Sequence, residues 1–431
     1  MKYHLIGING TSMSGLAKIL EAQGNQISGC DIERAKSKEK RLKIFQGHSR
    51  DHITKDLDGL IISAAITPSS GGWKEVERAQ ELGIPIIPRS KMIGRLMQDK
   101  VGIAVAGMHG KTTVSAMISL ILEKAGLDPT FLIGGELPKF GNARSGKGEY
   151  FVVEACEYAR QFLDMRPKIA VITNIEEEHL DTYPGGLKEI KKAFKKFVRL
   201  IPQNGLLVLW EEDPQTPWLA KCARCKVKTF SLKKPWPGLK LKIPGRHNIL
   251  NATAAARVCH ELGVPHKTIK MVLNDFNGVK RRFEMKGEVN GILVIDDYGH
   301  HPSEIQATLA GAREFYPKRR LICVFQPHQY ARTKALFDDF AISFSNCDKL
   351  VITEIFAVPG REEKRDVTAQ QLAEEIKKHQ KNVVYLKTYQ EIVDYLKKES
   401  KSGDLIITMG ATKIYEVGEK LLQDLGFRNK G

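Results

Sequence analysis

The chain has 431 residues, 42% of them hydrophobic, and a formal net charge of +17. That length exceeds what one core organises and suits two to four domains. No apolar run approaches a membrane span and the polar start MKYHLIGING lacks a signal-peptide layout, so a soluble, cytoplasmic protein with no membrane partner is expected. Much of the positive charge sits in Lys-rich stretches at 188–196 and 377–381, which read as solvated helix faces. No aromatic-rich basic module accompanies them, and nucleic acid is not an expected partner. The seven cysteines are scattered, Cys222 and Cys225 lack two further metal ligands, and reduced thiols are the reading.

Strand-like and helical runs alternate almost throughout, which predicts parallel sheets with crossover helices in an α/β chain of three domains. Residues 1–98 give strand 3–8, helix 13–23, strand 26–30, a helix, strand 60–65 and a helix, a small Rossmann-like unit. It opens with Gly7-x-x-Gly10-x-x-x-x-Gly15, and Asp31 follows the second strand. Such glycines let a pyrophosphate approach the turn and helix N-terminus, and the acid can meet a sugar or base. Tight helix–strand packing explains the same glycines.

Residues 99–279 form the second expected unit, a central ATP-binding domain with a mostly parallel sheet. An apolar strand, 101–106, breaks at Gly107-Met108-His109-Gly110 and continues as Lys111-Thr112-Thr113 into a helix ending near Gly126. Strand, glycine turn and Lys-Thr helix start make a phosphate cradle: backbone N–H groups and the helix N-terminus face the anion, Lys111 neutralises phosphate oxygens and a hydroxyl holds Mg²⁺. ATP is the expected ligand. Glu154 ends strand 150–155, and His179 follows strand 169–175. Strand carboxyl ends are where open α/β sheets place ligands, and a carboxylate and an imidazole there can hold metal ions. A strand at 206–210, a Pro- and Lys-rich loop or edge at 233–244 and a helix from about Asn248 complete the unit. Asn248 and Asn251 lie three apart, so their amides share a face and can bond an adenine edge, or Asn248 caps the helix.

The third unit, 280–431, is a second Rossmann-like domain. Lys280-Arg281-Arg282-Phe283 stands at the junction, where an arginine can swing onto a γ-phosphate or simply be a solvated linker. An Asn290-Gly291 hairpin signal precedes strands 293–298, 321–326, 350–356 and 405–409. Asp296-Asp297-Tyr298-Gly299-His300-His301 ends one strand, and Gln326-Pro327-His328 with Arg332 follows the next. Successive strand ends thus offer acids, imidazoles and a guanidinium that can clamp a carboxylate.

Taken together, IGINGTSMSGLA, GMHGKTT, TNIEEEHLDTY, PGRHNILNA, GVKRRFE, DDYGHHPSEI, FQPHQYART and TMGATKIYEVGEKL resemble the Mur ligase family of peptidoglycan synthesis over nearly the whole chain. DDYGHHP and FQPH with Tyr-x-Arg-Thr resemble its alanine-adding branch; DDYGH rather than DDFAH separates them from the tripeptide-recycling ligase. A basic P-loop NTPase acting on nucleic acid is a third reading, supported only by the charge. The resemblance implies a domain for the UDP part of the substrate, an ATPase domain, and a C-terminal domain closing over the nucleotide. The implied reaction has ATP phosphorylate the lactyl carboxylate of UDP-N-acetylmuramate, and L-alanine attack the acyl phosphate, in a monomer or homodimer.

By motif position, the resemblance implies that Gly107, Met108, His109, Gly110, Lys111, Thr112 and Thr113 hold the ATP phosphates. Thr112 and Glu154 would bind one Mg²⁺ and His179 a second. Asn248 and Asn251 would hold adenine, Asp297 the ribose and Arg282 the γ-phosphate. Tyr298, His300, His328 and Arg332 would line the acyl and alanine region, with Lys111, His179, Arg282, His300 and Arg332 catalytic. Gly10, Ser12, Met13 and Ser14, with Asp31 nearby, would meet the UDP pyrophosphate. The chain departs from the family pattern at Asn9 and Ser12, at Cys156 and Tyr158, at Gln329 where an arginine is expected, and at Thr412-Lys413. Phe194 occupies the position of a carbamylated lysine in sister ligases.

Overall fold

The computed structural model describes residues 1–32, 42–179, 182–357 and 364–427. Three sheets carry the fold. The first has β1 (Lys2–Ile6), β2 (Gln26–Asp31), β3 (Lys43–Gln46), β4 (Gly59–Ile62) and β5 (Ile86–Pro88), all parallel in the order β3-β2-β1-β4-β5. Helices α1 (Thr11–Ala22), α2 (Trp73–Glu81) and α3 (Arg89–Leu96) belong to it. A helix was expected between strands 26–30 and 60–65. The described residues there form β3 and a single 3-10 turn, Arg50–His52, and residues 33–41 lie outside the described residues.

The second sheet has seven strands: β6 (Val101–Ala106), β7 (Thr130–Leu137), β8 (Gly141–Arg144), β9 (Tyr150–Glu154), β10 (Ile169–Ile172), β11 (Leu206–Trp210) and β12 (Lys226–Phe230). Their order is β12-β11-β10-β6-β9-β7-β8, parallel except for the β7–β8 edge pair. The central strands read as unbroken apolar runs because helices cover both faces of a parallel sheet. Those helices include α4 (Lys111–Lys124), α5 (Gly186–Val198), α6 (Arg246–Glu261) and α7 (His266–Asp275). On α5, Ile190, Ala193, Phe194, Phe197 and Val198 are buried, leaving its lysines on the opposite face, as the sequence suggested. Phe194 packs edge-on against Phe162, so this position is core.

The third sheet combines β13 (Glu284–Val289), β14 (Ile292–Asp297), β15 (Arg320–Phe325), β16 (Lys349–Ile352), β17 (Val383–Tyr385) and β18 (Asp404–Met409) in the order β13-β14-β18-β15-β16-β17. Only β13–β14 is antiparallel, closed by Asn290 and Gly291, both at positive φ as a two-residue I′ hairpin turn demands. Helices α8 (Pro302–Phe315), α9 (Tyr330–Ala335), α10 (Phe337–Ala341), α11 (Ala369–Lys377), α12 (Tyr389–Glu399) and α13 (Tyr415–Asp424) follow in sequence. The 233–244 segment holds no helix or strand, as expected.

Residue contacts divide the chain into two compact units: Met1–Leu241 with Ile249–Phe276, which contains the first two sheets, and Lys242–Asn248 with Asn277–Gly431, which contains the third. Inside the first unit the two sheets are locked by close packing. A Cβ on Gly15 of α1 would sit 2.4 Å from Leu132 of β7, and one on Gly94 of α3 would sit 2.2 Å from the Asp164 carbonyl. Asn142 of β8 donates to the Thr11 carbonyl. Among the described residues, no helix is long and apolar enough to cross a membrane.

Candidate active site

The loop between β6 and α4 has the backbone a phosphate cradle requires. Gly107 sits at φ +126° and Gly110 at φ +81°, and a Cβ on either would collide, with Thr173 Oγ1 at 2.1 Å and Asn251 Oδ1 at 2.5 Å. Two residues that the sequence reading passed over hold the loop. Asn174 Oδ1 accepts from Met108 N–H (3.0 Å) and His109 N–H (2.9 Å), and Thr173 donates to the His109 carbonyl (2.6 Å). The cradle's own N–H groups at 108 and 109 are therefore turned into the protein. The donors left for an anion are those at the head of α4, Gly110 through Thr113, which no helix satisfies internally. Thr112 and Thr113 are in this first turn and are largely buried.

Lys111 reaches back over its own loop, donating to the carbonyls of Gly107 and Met108 (2.9 Å) and to Glu157 Oε1 (3.1 Å). His179 Nε2 lies 3.3 Å from the same Glu157 oxygen and 4.0 Å from Glu178. Burial alone would push the Lys111 ammonium down, but Glu157 beside it leaves it above its usual value. Burial likewise works to raise Glu157, and Lys111 and His179 overcome it and hold the carboxylate below its usual range. His179 is at φ +55°, a left-handed backbone unusual for a residue with a Cβ, and its ring meets Tyr158 edge-on.

Glu154, expected in this group, ends β9 as foreseen, but its carboxylate accepts from Gly134 N–H across the sheet. Its neighbour Glu157, three residues on, is the acid that meets Lys111 and His179. The only sequence signal for it was the Glu154-x-x-Glu157 spacing. Glu157 Oε2 is buried with no hydrogen-bond partner among the described residues. An orphaned carboxylate oxygen beside a second carboxylate and an imidazole is a donor set that suits a hard divalent cation.

In the glycine-rich opening of the first sheet, Asp31 accepts from Asn9 N–H (3.0 Å), so the acid braces the turn itself. Gly10 caps α1, whose first N–H groups remain for a ligand. The Met13 side chain is buried in the core, and Ser14 donates to the Thr11 carbonyl beside Asn142. Ser12 stands in the first turn of α1.

On α6, Asn251 faces Gly110 of the phosphate loop. Asn248 is buried and its side-chain amide donates to the Pro244 carbonyl (2.6 Å) from inside the first turn of α6, so it does not stand at the capping position.

In the second unit, Asp297 ends β14. One of its oxygens accepts from Phe283 N–H and the other from Gly299 N–H, both at 2.8 Å, tying the 280–283 junction to the end of β14. These two bonds hold the carboxylate in place, and a carboxylate oxygen accepts more than one hydrogen bond. Burial pushes this carboxyl up to about 6. Arg281 is structural: it binds Asp296 (3.0 Å) and the Gly410 carbonyl (2.7 Å), sandwiched between the rings of Tyr298 and Tyr415. Arg282 lies over Tyr298, 3.5 Å from Glu304.

Four of the expected residues do come together. Tyr298 and His300 meet edge-on at 5.5 Å, His300 and His328 at 6.0 Å, and Arg332 reaches His328 Nδ1 at 3.3 Å. Phe356, absent from the sequence reading, stacks on His328. Gln329 takes φ +73° at the head of α9, its N–H bonded to the Phe356 carbonyl. Thr412, which the sequence left without a role, donates to Gln326 Oε1, which also accepts from Tyr389. This buried amide pins the 410–413 turn to the end of β15.

Comparison with known proteins agrees with this layout. Residues 2–101 match the catalytic domain of the Mur ligase family, 105–238 the Mur ligase middle domain and 281–412 the Mur ligase glutamate ligase domain. The chain belongs to the Mur ligase family. Among Mur ligase relatives, UDP-N-acetylmuramate–L-alanine ligase of Caldanaerobacter subterraneus subsp. tengcongensis is 43% identical over 98% of this chain and 97% of its own. The protein of the same name from Acetivibrio thermocellus is 43% identical over 98% and 95%. The crystal structure of UDP-N-acetylmuramate-alanine ligase MurC from Thermotoga maritima superposes with a TM-score of 0.83 at 27% identity, covering 98% of this chain and 99% of that one. A murein peptide ligase from Psychrobacter arcticus gives 0.71 at 25% identity, covering 99% of each.

Proposed function

We propose that this protein joins L-alanine to the lactyl carboxylate of UDP-N-acetylmuramate in the cytoplasm, converting ATP to ADP and phosphate. The observation that carries the reading is the Lys111–Glu157–His179 cluster around the buried Glu157 carboxylate at the head of α4, in a chain whose relatives of that name match it over nearly its whole length. A carboxylate is a poor electrophile until it carries a leaving group. Its oxygen attacks the γ-phosphorus of ATP, ADP departs, and the acyl phosphate keeps the activated carbon. The neutral amine of alanine then attacks, a proton leaves the nitrogen, and phosphate is expelled.

The N–H groups of Gly110–Thr113 and the Lys111 ammonium receive the β- and γ-phosphates; on ATP binding, Lys111 exchanges its contact with Glu157 for phosphate oxygens. Glu157, Glu178 and His179 would hold Mg²⁺, and the hydroxyl of Thr112 with Glu154 would hold a second ion. Magnesium bound there offsets the negative charge that accumulates on the transferring phosphoryl group. The head of α1, from Gly10 to Ser12, receives the UDP pyrophosphate. In the second unit, Arg332 clamps a carboxylate, His300 and His328 offer the proton acceptor, and Arg282 serves the γ-phosphate. The rings of Tyr298 and Phe356 keep water from the acyl phosphate.

The test is isotopic. With oxygen-labelled lactyl carboxylate, one labelled oxygen should appear in the phosphate released, and Lys111→Ala should abolish both transfer and ADP formation. Unlabelled phosphate, or full turnover by the Lys111 variant, would overturn the reading.

A further inference from the structure

The first sheet contains a second cluster of metal-ligating side chains, and the ligase chemistry above does not use it. His4 on β1, Cys30 on β2, His52 at the end of the 3-10 turn and Glu75 on α2 each offer one ligand atom, and all four atoms lie within 4.8 Å of one another. His4, Cys30 and Glu75 are fully buried, and the His52 side chain is 10% exposed. Cys30 Sγ is 2.9 Å from Glu75 Oε2, and His52 Nδ1 is 2.7 Å from Glu75 Oε1. Ligand pairs around a tetrahedral Zn²⁺ stand about 3.3–3.8 Å apart, so small side-chain shifts open these contacts onto an ion.

Three features point to a cation. His4 Nδ1 pairs with Ser28 Oγ (2.9 Å), while its other ring nitrogen, Nε2, is buried without a partner among the described residues. Hydrogen bonding at one ring nitrogen that orients the other is how metal-bound imidazoles are held. The Glu75 carboxylate is fully buried, yet no Lys or Arg pairs with it among the described residues. Its oxygens meet Ser49 N–H (3.0 Å), His52 and Cys30, so it is hydrogen-bonded but has no permanent cation beside it, and a buried carboxylate is costly unless a cation or a metal compensates it. The charges also balance: one thiolate, one carboxylate and two neutral imidazoles cancel Zn²⁺ to a net zero inside an apolar wall. His48 Nδ1, 3.2 Å from Cys30 Sγ, is placed to donate to a thiolate from outside the ligand set.

We propose that His4, Cys30, His52 and Glu75 form a structural Zn²⁺ site that clips β1, β2, the 48–52 turn and α2 together. On binding, the Cys30 thiol proton passes to solvent and sulfur and metal form the new bond. This site is independent of the ATP cradle and stands or falls separately from the proposed reaction.

The full-length protein, stripped by a chelator, is titrated with Co²⁺, whose thiolate charge-transfer band and intense tetrahedral d–d absorption report a Cys-containing site. One equivalent should give both features, and Zn²⁺ should then displace them and raise the thermal midpoint. Cys30→Ser should lose the thiolate band, His52→Asn should weaken Co²⁺ binding about tenfold or more, and Glu157→Gln at the ATP site should leave the band intact. If Cys30→Ser does not fold, His52→Asn at the rim carries the comparison. A wild-type protein without a thiolate–cobalt band, or a band that survives Cys30→Ser unchanged, would overturn the proposal.

Discussion

Glu157→Gln keeps the shape of the side chain and removes one buried charge. In the structure that charge is 3.1 Å from the Lys111 ammonium and 3.3 Å from His179, and the Glu157 side chain is 1% exposed. At an effective dielectric near 20, the attraction to Lys111 alone comes to about 5 kcal/mol. Removing one partner of a buried pair costs about 3–5 kcal/mol, because the ammonium that remains is uncompensated. A loss of that size lowers the midpoint of a unit this large by roughly 6–20 °C. ATP resupplies the missing negative charge, so the gap between wild type and variant should narrow when nucleotide saturates both. Scanning calorimetry with and without ATP reads the first effect. The Mg²⁺ dependence of ADP formation reads the second role, and the concentration needed should rise about tenfold or more with the ligand gone. A variant with an unchanged midpoint and an unchanged Mg²⁺ requirement would refute the reasoning.

Asn174→Ala strips the acceptor from the N–H groups of Met108 and His109. We expect about 2–4 kcal/mol of lost stability in urea unfolding and a kcat/KM for ATP down about a hundredfold as the cradle loosens. Gly94→Ala forces a methyl against the Asp164 carbonyl; a cost of about 1–3 kcal/mol and a lower midpoint should follow. The pH dependence of the second unit has two opposed parts. Burial lowers His247 to about 4, with Glu304 and Arg282 as its charged neighbours, so its contribution to stability is lost as pH falls from about 6.5 towards 4, by up to about 3 kcal/mol. Burial raises Asp297 to about 6 between the same two neighbours, so its contribution is present below about 4 and is lost as pH rises through 6. In urea melts across that range, His247→Gln should therefore shed the acid-side loss and Asp297→Asn the opposing trend, and curves parallel to wild type would contradict both assignments.

The sequence made the sheets legible wherever strands are buried on both faces, since β6, β10 and β11 are apolar throughout and β14, β15 and β18 have apolar centres with polar residues only towards their ends. Short edge strands escaped it. β12 carries two lysines, β13 leaves Met285 exposed and its Glu284 and Lys286 half-buried, and β17 has only three residues, so their pairing comes from neighbours rather than from their own periodicity. The strand, glycine turn and helix start at 101–113 were readable because their pattern is local: glycines at positive φ, a lysine and a helix start within seven residues. Residues that act across the fold were not. Asn174 bonds backbone groups 65 and 66 positions earlier, and Glu157, in the short link between β9 and the 3-10 turn Tyr158–Asp164, is the acid that reaches Lys111. Thr412 looked like an unexplained departure because its partner, Gln326, lies on another strand end.

The most direct measurement is ADP release with UDP-N-acetylmuramate across a panel of amino acids and the murein tripeptide. L-alanine should support turnover, with UDP-N-acetylmuramoyl-L-alanine as the product by mass spectrometry. Turnover with the tripeptide but not with L-alanine, or none with any acceptor in the panel, would contradict the account.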